Sequence, residues 1–395
     1  MATLVLFIIY LAFISLGLPD SLLGSAWPVM QNDLSVEMSS AGIIAMMISG
    51  GTIISSFFSG RLINRFGTGK VTFISVAMTA FALLGFSLSP SFIWLCILSI
   101  PLGLGAGSVD AALNNFVALH YSSKHMSWLH CSWGIGATAG PMIMSIFIAK
   151  NNQWQKGYFT IFIIQVCLVI LLFITLPLWK KIEKNDKSIV KEDEENNQKI
   201  KPLGIPGVKL ALVSFIFYCG TESTAGLWGS SYLVNYKGLS ASEAARWVAL
   251  FYGGITVGRL LTGFLTMKFN NRTLIRGGQI ICLMGAICLL LPLPIYFSMI
   301  GLSLIGLGCA PIYPCMLHET PNRFGKVASQ SIMGVQMAFA YIGSAFMPPL
   351  LGFIASKTSI VIFPYFLLGY ILIMLVGSEK INGFMKNKNK NGGLI

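Results

Sequence analysis

Three acidic side chains stand inside stretches that otherwise read as lipid-buried helix: Asp20, Asp110 and Glu222. The chain holds 14 Asp and Glu, and the rest fall in loops, near helix ends or in the tail. A carboxylate at the centre of a bilayer helix costs about 2.5–3.5 kcal/mol on insertion scales. Groups of this kind face cavities, where they hold a proton, an ion or a polar substrate. Asp20, Asp110 and Glu222 are therefore the candidates for proton coupling. Burial disfavours the charged form of a carboxyl group and water restores it, so a cavity that opens alternately to two sides can load and release a proton. Asp110 and Asn114 lie four residues apart and share a helix face. One carboxylate and one amide there can grip the hydroxyls of a polyol; simple helix–helix hydrogen bonding is the alternative for the same pair.

Other residues extend the candidate substrate site. His130 titrates near neutral pH when unperturbed, or it is a hydrogen-bonded structural residue. Trp133 and Trp228, set among glycines and polar residues, can offer ring faces to a sugar, whereas Trp27 sits where an interfacial aromatic belt is expected. Gln336 is a polar group in the middle of an apolar stretch, with interhelical bonding as its other role. Glu222 either takes part in coupling or holds a glycine-rich helix break. Arg259, nine residues before Lys268, either pairs with a carboxylate at a gate or snorkels to the interface. No nucleophile–base constellation, metal-ligand spacing or Walker-type lysine motif is present, so an enzyme, a metal site, a cofactor and ATP drive are not expected.

These residues must be held by membrane helices. The chain has 395 residues, of which 55% are hydrophobic and only 10% charged, against about 25% charged in a soluble domain. A spanning helix needs about 20 mostly apolar residues. Twelve stretches qualify, near 4–30, 38–60, 70–89, 91–119, 126–149, 158–179, 207–235, 243–267, 273–292, 294–317, 328–354 and 359–378. Barrel strands would be shorter and would alternate in polarity. The first stretch lacks a basic n-region and is too long for a signal peptide. The eight cysteines are scattered through apolar segments and read as buried free thiols.

The net charge of +13 reports topology rather than nucleic-acid binding. With the amino terminus placed in the cytoplasm, 21 Lys and Arg fall on the inner side and five on the outer, with Arg259 inside a span. That is the positive-inside asymmetry. It places both termini in the cytoplasm of an inner (plasma) membrane, with the lipid bilayer as partner and a monomer expected.

Residues 180–206 interrupt the apolar pattern with Lys180-Lys181 and the run Glu192-Asp193-Glu194-Glu195, and read as a cytoplasmic linker. They separate a six-helix bundle at 1–179 from a second at 207–378, with a cytoplasmic tail at 379–395. The halves repeat at an offset of 203: Gly50-Gly51, Gly60, Leu62 and Phe66 match Gly253-Gly254, Gly263, Leu265 and Phe269, and Gly103-Leu104-Gly105 matches Gly306-Leu307-Gly308. Two parallel six-helix repeats with a site between them describe a secondary transporter. The glycine runs serve close helix approach, not nucleotide binding.

The turn Gly60-Arg61-Leu62-Ile63-Asn64-Arg65-Phe66-Gly67-Thr68-Gly69-Lys70 resembles the basic loop between the second and third helices of the major facilitator superfamily, with Asn64 where that family usually has Asp. Within the superfamily the chain looks most like the fucose permease group of sugar–proton symporters. The segments Leu18-Pro19-Asp20-Ser21, Gly107-Ser108-Val109-Asp110-Ala111-Ala112-Leu113-Asn114, Gly220-Thr221-Glu222 and Ala310-Pro311-Ile312-Tyr313-Pro314 carry this likeness, while Leu129-His130-Cys131-Ser132-Trp133-Gly134-Ile135-Gly136 is closer to glucose-transporter-like relatives. The resemblance implies an all-α membrane protein of the major facilitator fold, with twelve transmembrane helices in two pseudo-symmetric halves. It also implies proton coupling and substrate binding at Asp20 and Asp110. Asp110 stands where fucose permease has Glu, and His130 and Trp133 stand where it has Gln and Asn.

Three readings follow. Proton-coupled uptake of a sugar or polyol fits the polar, carboxylate-lined cavity. Export of drugs or lipids fits the same acids with cationic cargo. A non-transporting membrane sensor predicts that neutralising Asp20 and Asp110 changes nothing. Sodium remains open as the coupling ion, since carboxylates serve both.

Overall fold

The computed structural model describes residues 2–121, 123–186 and 202–390. Without water to satisfy backbone groups, a chain crossing lipid must bond them internally, and here it does so as helix. The helices are α1 Ala2–Asp20, α2 Leu22–Asp33, α3 Ser40–Phe66, α4 Thr68–Ser87, α5 Phe92–His120, α6 Ser123–Ala149, α7 Trp154–Asp186, α8 Val208–Asn235, α9 Ala241–Leu265, α10 Asn271–Leu290, α11 Tyr296–Phe324, α12 Lys326–Lys357 and α13 Phe363–Lys390. With α1 and α2 forming one broken span, 12 spans among the described residues are long and apolar enough to cross a membrane. An even number returns both termini to one face, called here the termini face; the opposite is the far face. Gly67 and Gly325, at φ 82° and 90°, make the one-residue turns between α3 and α4 and between α11 and α12, a conformation that suits glycine.

The first span, read from sequence as one helix, breaks at Ser21. Pro19 lacks an amide N–H and cannot bond the carbonyl four residues back, so Asp20 ends α1 at a kink. Two boundaries also lie elsewhere than the charge pattern suggests. Helix α7 runs on to Asp186 and α13 to Lys390, because no proline stops either one and Lys and Glu are good helix formers in water. Of the linker at 180–206, residues 187–201 lie outside the described residues, as do tail residues 391–395.

The repeat is visible in packing. A Cβ on Gly103 would meet the Ile48 carbonyl oxygen at 2.1 Å, and one on Gly306 would meet that of Phe251 at 1.9 Å. Gly105 faces the Ser75 carbonyl as Gly308 faces that of Gly278. Each pair is related by the same offset of 203, so α3·α5 and α4·α5 in the first half match α9·α11 and α10·α11 in the second, seams that only glycine permits.

The halves meet along α2 on α8 and α9, α6 on α9, and α3 on α12. These seams are tightest toward the far face. There the Gly24 backbone abuts that of Gly226 and Leu227, Gly42 abuts Pro349, and Ser242 Oγ donates to the Ser145 carbonyl at 2.9 Å. Toward the termini face, Gly60 on α3 and Gly334 on α12 have no neighbour within 4 Å of a would-be Cβ. Asp20, at mid-span, is solvent-exposed. Its exposure marks open space at mid-span, and these contacts hold the halves together toward the far face.

Of the cysteines, Cys282, Cys309 and Cys315 are buried as expected, but Cys167 is exposed and the other four are half-buried. Cys167 lies on α7, one of the helices whose outer surface would face lipid, so apolar surroundings in the sequence did not mean protein burial. All eight are free.

Candidate functional site

The kink at Pro19 turns Asp20 into the space between the halves. Its Oδ2 accepts the Trp133 indole N–H from α6 at 2.8 Å. The same indole ring lies under the Arg259 guanidinium of α9, 5.0 Å from its centroid, a cation–π contact. Arg259 in turn pairs with Glu222 of α8 at 3.6 Å, both largely shielded from water. Glu222 also accepts a hydrogen bond from the Tyr218 hydroxyl, one helical turn back. A continuous line of contacts therefore runs from Asp20 in one half to Glu222 in the other.

The second carboxylate sits beside this line. Asn114 donates to Asp110 Oδ1 and to the Asp110 carbonyl, both at 2.9 Å. Tyr341 of α12 reaches from the other half and donates to Asp110 Oδ2 at 3.4 Å. Tyr313 packs near the Tyr218 ring at 5.8 Å, and Tyr252 meets Trp133 edge-on at 6.4 Å. Asp110, Asn114, Glu222, Arg259, Trp133, Tyr313 and Tyr341 are all partly open to solvent. Among the described residues, Arg259 is the cation found paired within this space, and Glu222 takes it. Asp20 and Asp110 hold neutral donors instead. No group of three or more His, Cys, Asp or Glu among the described residues has metal-binding geometry.

Of the sequence candidates, Asp20, Asp110, Asn114, Glu222, Trp133 and Arg259 come together. Arg259, read as a gate residue, here lines the site at mid-depth, since its partner Glu222 lies midway along α8. His130 is half-buried, with its ring edge-on to Phe13 at 6.0 Å, within electrostatic reach of Arg259. Two candidates lie elsewhere. Trp228 is fully buried and donates its indole N–H to the Pro348 carbonyl at 2.8 Å, wedged against Gly352. It locks α8 onto α12 and lines no cavity. Gln336 is 1% exposed, and its Oε1 accepts from the Thr320 hydroxyl at 2.9 Å, so it joins α11 to α12. Trp27, also fully buried, donates to the Met38 carbonyl at 2.9 Å and is no belt residue. Sequence reading missed Tyr218, Tyr252, Tyr313 and Tyr341. Tyr218 left a local signal, its four-residue spacing from Glu222; Tyr313 stood in a segment read only for its family likeness, and Tyr252 and Tyr341 act across helices.

Two six-span halves joined at the far face, around a water-reached set of carboxylates, define a membrane carrier. The chain belongs to the Major Facilitator Superfamily, whose sequence profile matches residues 9–348. It is 24% identical to the glucose/mannose transporter GlcP of Bacillus subtilis, over 89% of this chain and 88% of that protein. It is 21% identical to the cis,cis-muconate transport protein of Acinetobacter baylyi, over 89% of this chain and 87% of that one. Among solved structures, the nucleoside transporter NupG superposes with a TM-score of 0.74 at 12% identity, over 95% of this chain and 98% of that one. A bacterial homologue of the human lysosomal transporter Spinster, in an inward-facing and occupied conformation, superposes with a TM-score of 0.73 at 12% identity, over 98% and 97%. The structural likenesses show the same fold over 95–98% of the chain. The protein is a transporter of small molecules and not an enzyme.

Proposed function

We propose that this carrier takes up a sugar or related polyol together with protons, by alternating access, across a cell membrane with both termini in the cytoplasm. The observation that carries the reading is the Asp110–Asn114 pair, offered on one helix face to the cavity and met by the Tyr341 hydroxyl from the opposite half. A carboxylate acceptor, an amide donor and a phenol present the mixed donors and acceptors that vicinal hydroxyls need. Trp133 and Tyr313 supply ring faces beside them. The likeness to a glucose/mannose transporter supports this cargo class.

Asp20 is the proposed proton carrier. It faces water and has Trp133 as its donor, while the neighbouring arginine is committed to Glu222. When the halves rock and the cavity closes, water leaves, and an ionised carboxylate without a cation is strongly disfavoured. The occluded carrier therefore crosses with Asp20, which has the Trp133 N–H as its donor, protonated, while the Asp110 carboxylate keeps the Asn114 and Tyr341 donors and gains those of the bound sugar. On opening toward the cytoplasm, water returns and the proton departs. Sugar bridging Asp110 and Tyr341 links the two halves, which ties closure to occupancy. Arg259 and Glu222 keep one charge pair balanced throughout.

The test is uptake of a labelled sugar panel into proteoliposomes under an inward pH gradient. Gradient-driven accumulation of one sugar, lost in Asp110→Asn, supports the reading. No accumulation of any sugar, with accumulation or expulsion of a cationic or apolar compound instead, overturns it.

A further inference from the structure

Beneath Asp20, on the side away from the cavity, lies a buried polar relay that the transport site does not use. Gln165, in the middle of α7, is 1% exposed. Its Nε2 donates to the Ser15 carbonyl at 3.0 Å, and its Oε1 accepts from the Thr79 hydroxyl of α4 at 2.7 Å. Ser15 is the residue four before Pro19. It is the carbonyl that residue 19 would bond in an unbroken helix and that proline, lacking an N–H, leaves free. Unpaired backbone carbonyls are costly in a membrane interior, and here a side chain from another span supplies the donor. A cavity of about 10 Å3 beside Ser15, Pro19, Thr79 and Gln165, no larger than one water, leaves slack around the bend.

We propose that Gln165 is a positioning residue for proton coupling: by taking up the Ser15 carbonyl that Pro19 frees, it fixes the bend that aims Asp20 into the cavity. Thr79 orients the Gln165 amide: its hydroxyl lies 2.7 Å from the amide oxygen, closer than its other acceptor, the Val76 carbonyl at 2.9 Å, and this leaves the NH2 to face Ser15. The brace spans three helices of one half, α1, α4 and α7, so the bend is set by that half as a rigid body. It keeps Asp20 in register with Trp133 while the other half rocks past. An ordinary buried glutamine would bond wherever a partner lay; this one meets the carbonyl orphaned by the proline next to the coupling carboxylate. The inference rests on the reading of Asp20 as the proton carrier, but its test does not need the cargo.

The decisive experiment is a cycle of Gln165→Leu, Pro19→Ala and the double variant in the full-length protein. Two readouts are taken: thermal unfolding in detergent, and the rate of carbodiimide modification of Asp20 by mass spectrometry, with Asp110 as internal control. Alanine restores the amide at position 19 and removes the need for Gln165. Gln165→Leu is expected to lower the Tm and to change the Asp20 rate about threefold or more with Pro19 present, the factor one hydrogen bond supplies. In the Pro19→Ala background both effects should largely vanish, and the Asp110 rate should hold throughout. Equal effects in the two backgrounds, or an Asp20 rate untouched by Gln165→Leu, would overturn the proposal. If Gln165→Leu does not fold, Thr79→Val, which removes the orienting hydroxyl, is expected to give the same pattern at smaller size, and additivity there overturns it equally. Failure of proton-coupled sugar transport alone would leave this cycle intact and would count against the cargo reading instead.

Discussion

The indole of Trp133 gives its N–H to Asp20 at 2.8 Å. Because its ring also carries the Arg259 guanidinium, one side chain touches both the carboxylate of the first half and the ion pair of the second. Trp133→Phe keeps a ring for Arg259 but removes the hydrogen bond. In a water-reached site such a bond is worth about 1 kcal/mol, so gradient-driven accumulation should fall about fivefold, with Tm changed by less than about 2 °C. Proteoliposome uptake and a thermal melt check both halves of that statement.

The Arg259–Glu222 pair should behave as a unit. Removing one partner of a buried pair costs about 3–5 kcal/mol, because it strands the other charge. Partial access of water makes about 2 kcal/mol the expected loss here. Arg259→Gln and Glu222→Gln should each lower the Tm in detergent, and the double variant should lose less than the sum. A double-mutant cycle measures the difference.

Closure at the far face depends on bare backbone. A Cβ on Gly24 would lie 2.2 Å from the Gly226 carbonyl oxygen, and backbone cannot yield there. Gly24→Ala is expected to hold the far side apart and to stop net transport while the protein still folds. Spin labels replacing Glu37 and Asn235, both exposed near that face, should shift to longer distances than in the parent protein.

Trp228 offers the opposite case. As a buried wedge between α8 and α12, it should cost about 3–5 kcal/mol when cut to alanine. Trp228→Phe, which keeps most of the volume, should leave cargo affinity unchanged. Binding measured alongside a melt separates packing from recognition.

Much of the architecture could be read from apolar run length and from the repeat of 203, because both are properties of the chain in order. The acids Asp20, Asp110 and Glu222 stood out because a charge in an apolar run is conspicuous. Trp228 and Gln336 misled for the same reason: a polar or amphipathic group in a span announces itself equally whether it faces a cavity or a neighbouring helix, and only packing decides. Gln336 stands 203 residues after Trp133, so the repeat puts the two at equivalent places, yet one faces the site and the other bonds Thr320. Tyr341 could not be found from sequence, since its partner Asp110 is 231 residues away in the other half. The break at Ser21 was hinted at by Pro19, but the hand that holds it, Gln165, lies five spans further on.

Proton movement driven by sugar itself tests the central claim most directly. Proteoliposomes with no imposed pH gradient are given an inward gradient of the transported sugar, and external pH is followed with a dye. Symport through Asp20 predicts alkalinisation outside in the wild-type protein and none in Asp20→Asn, which should still exchange sugar across the membrane. Sugar flux without proton movement, or the same alkalinisation in Asp20→Asn, would contradict it.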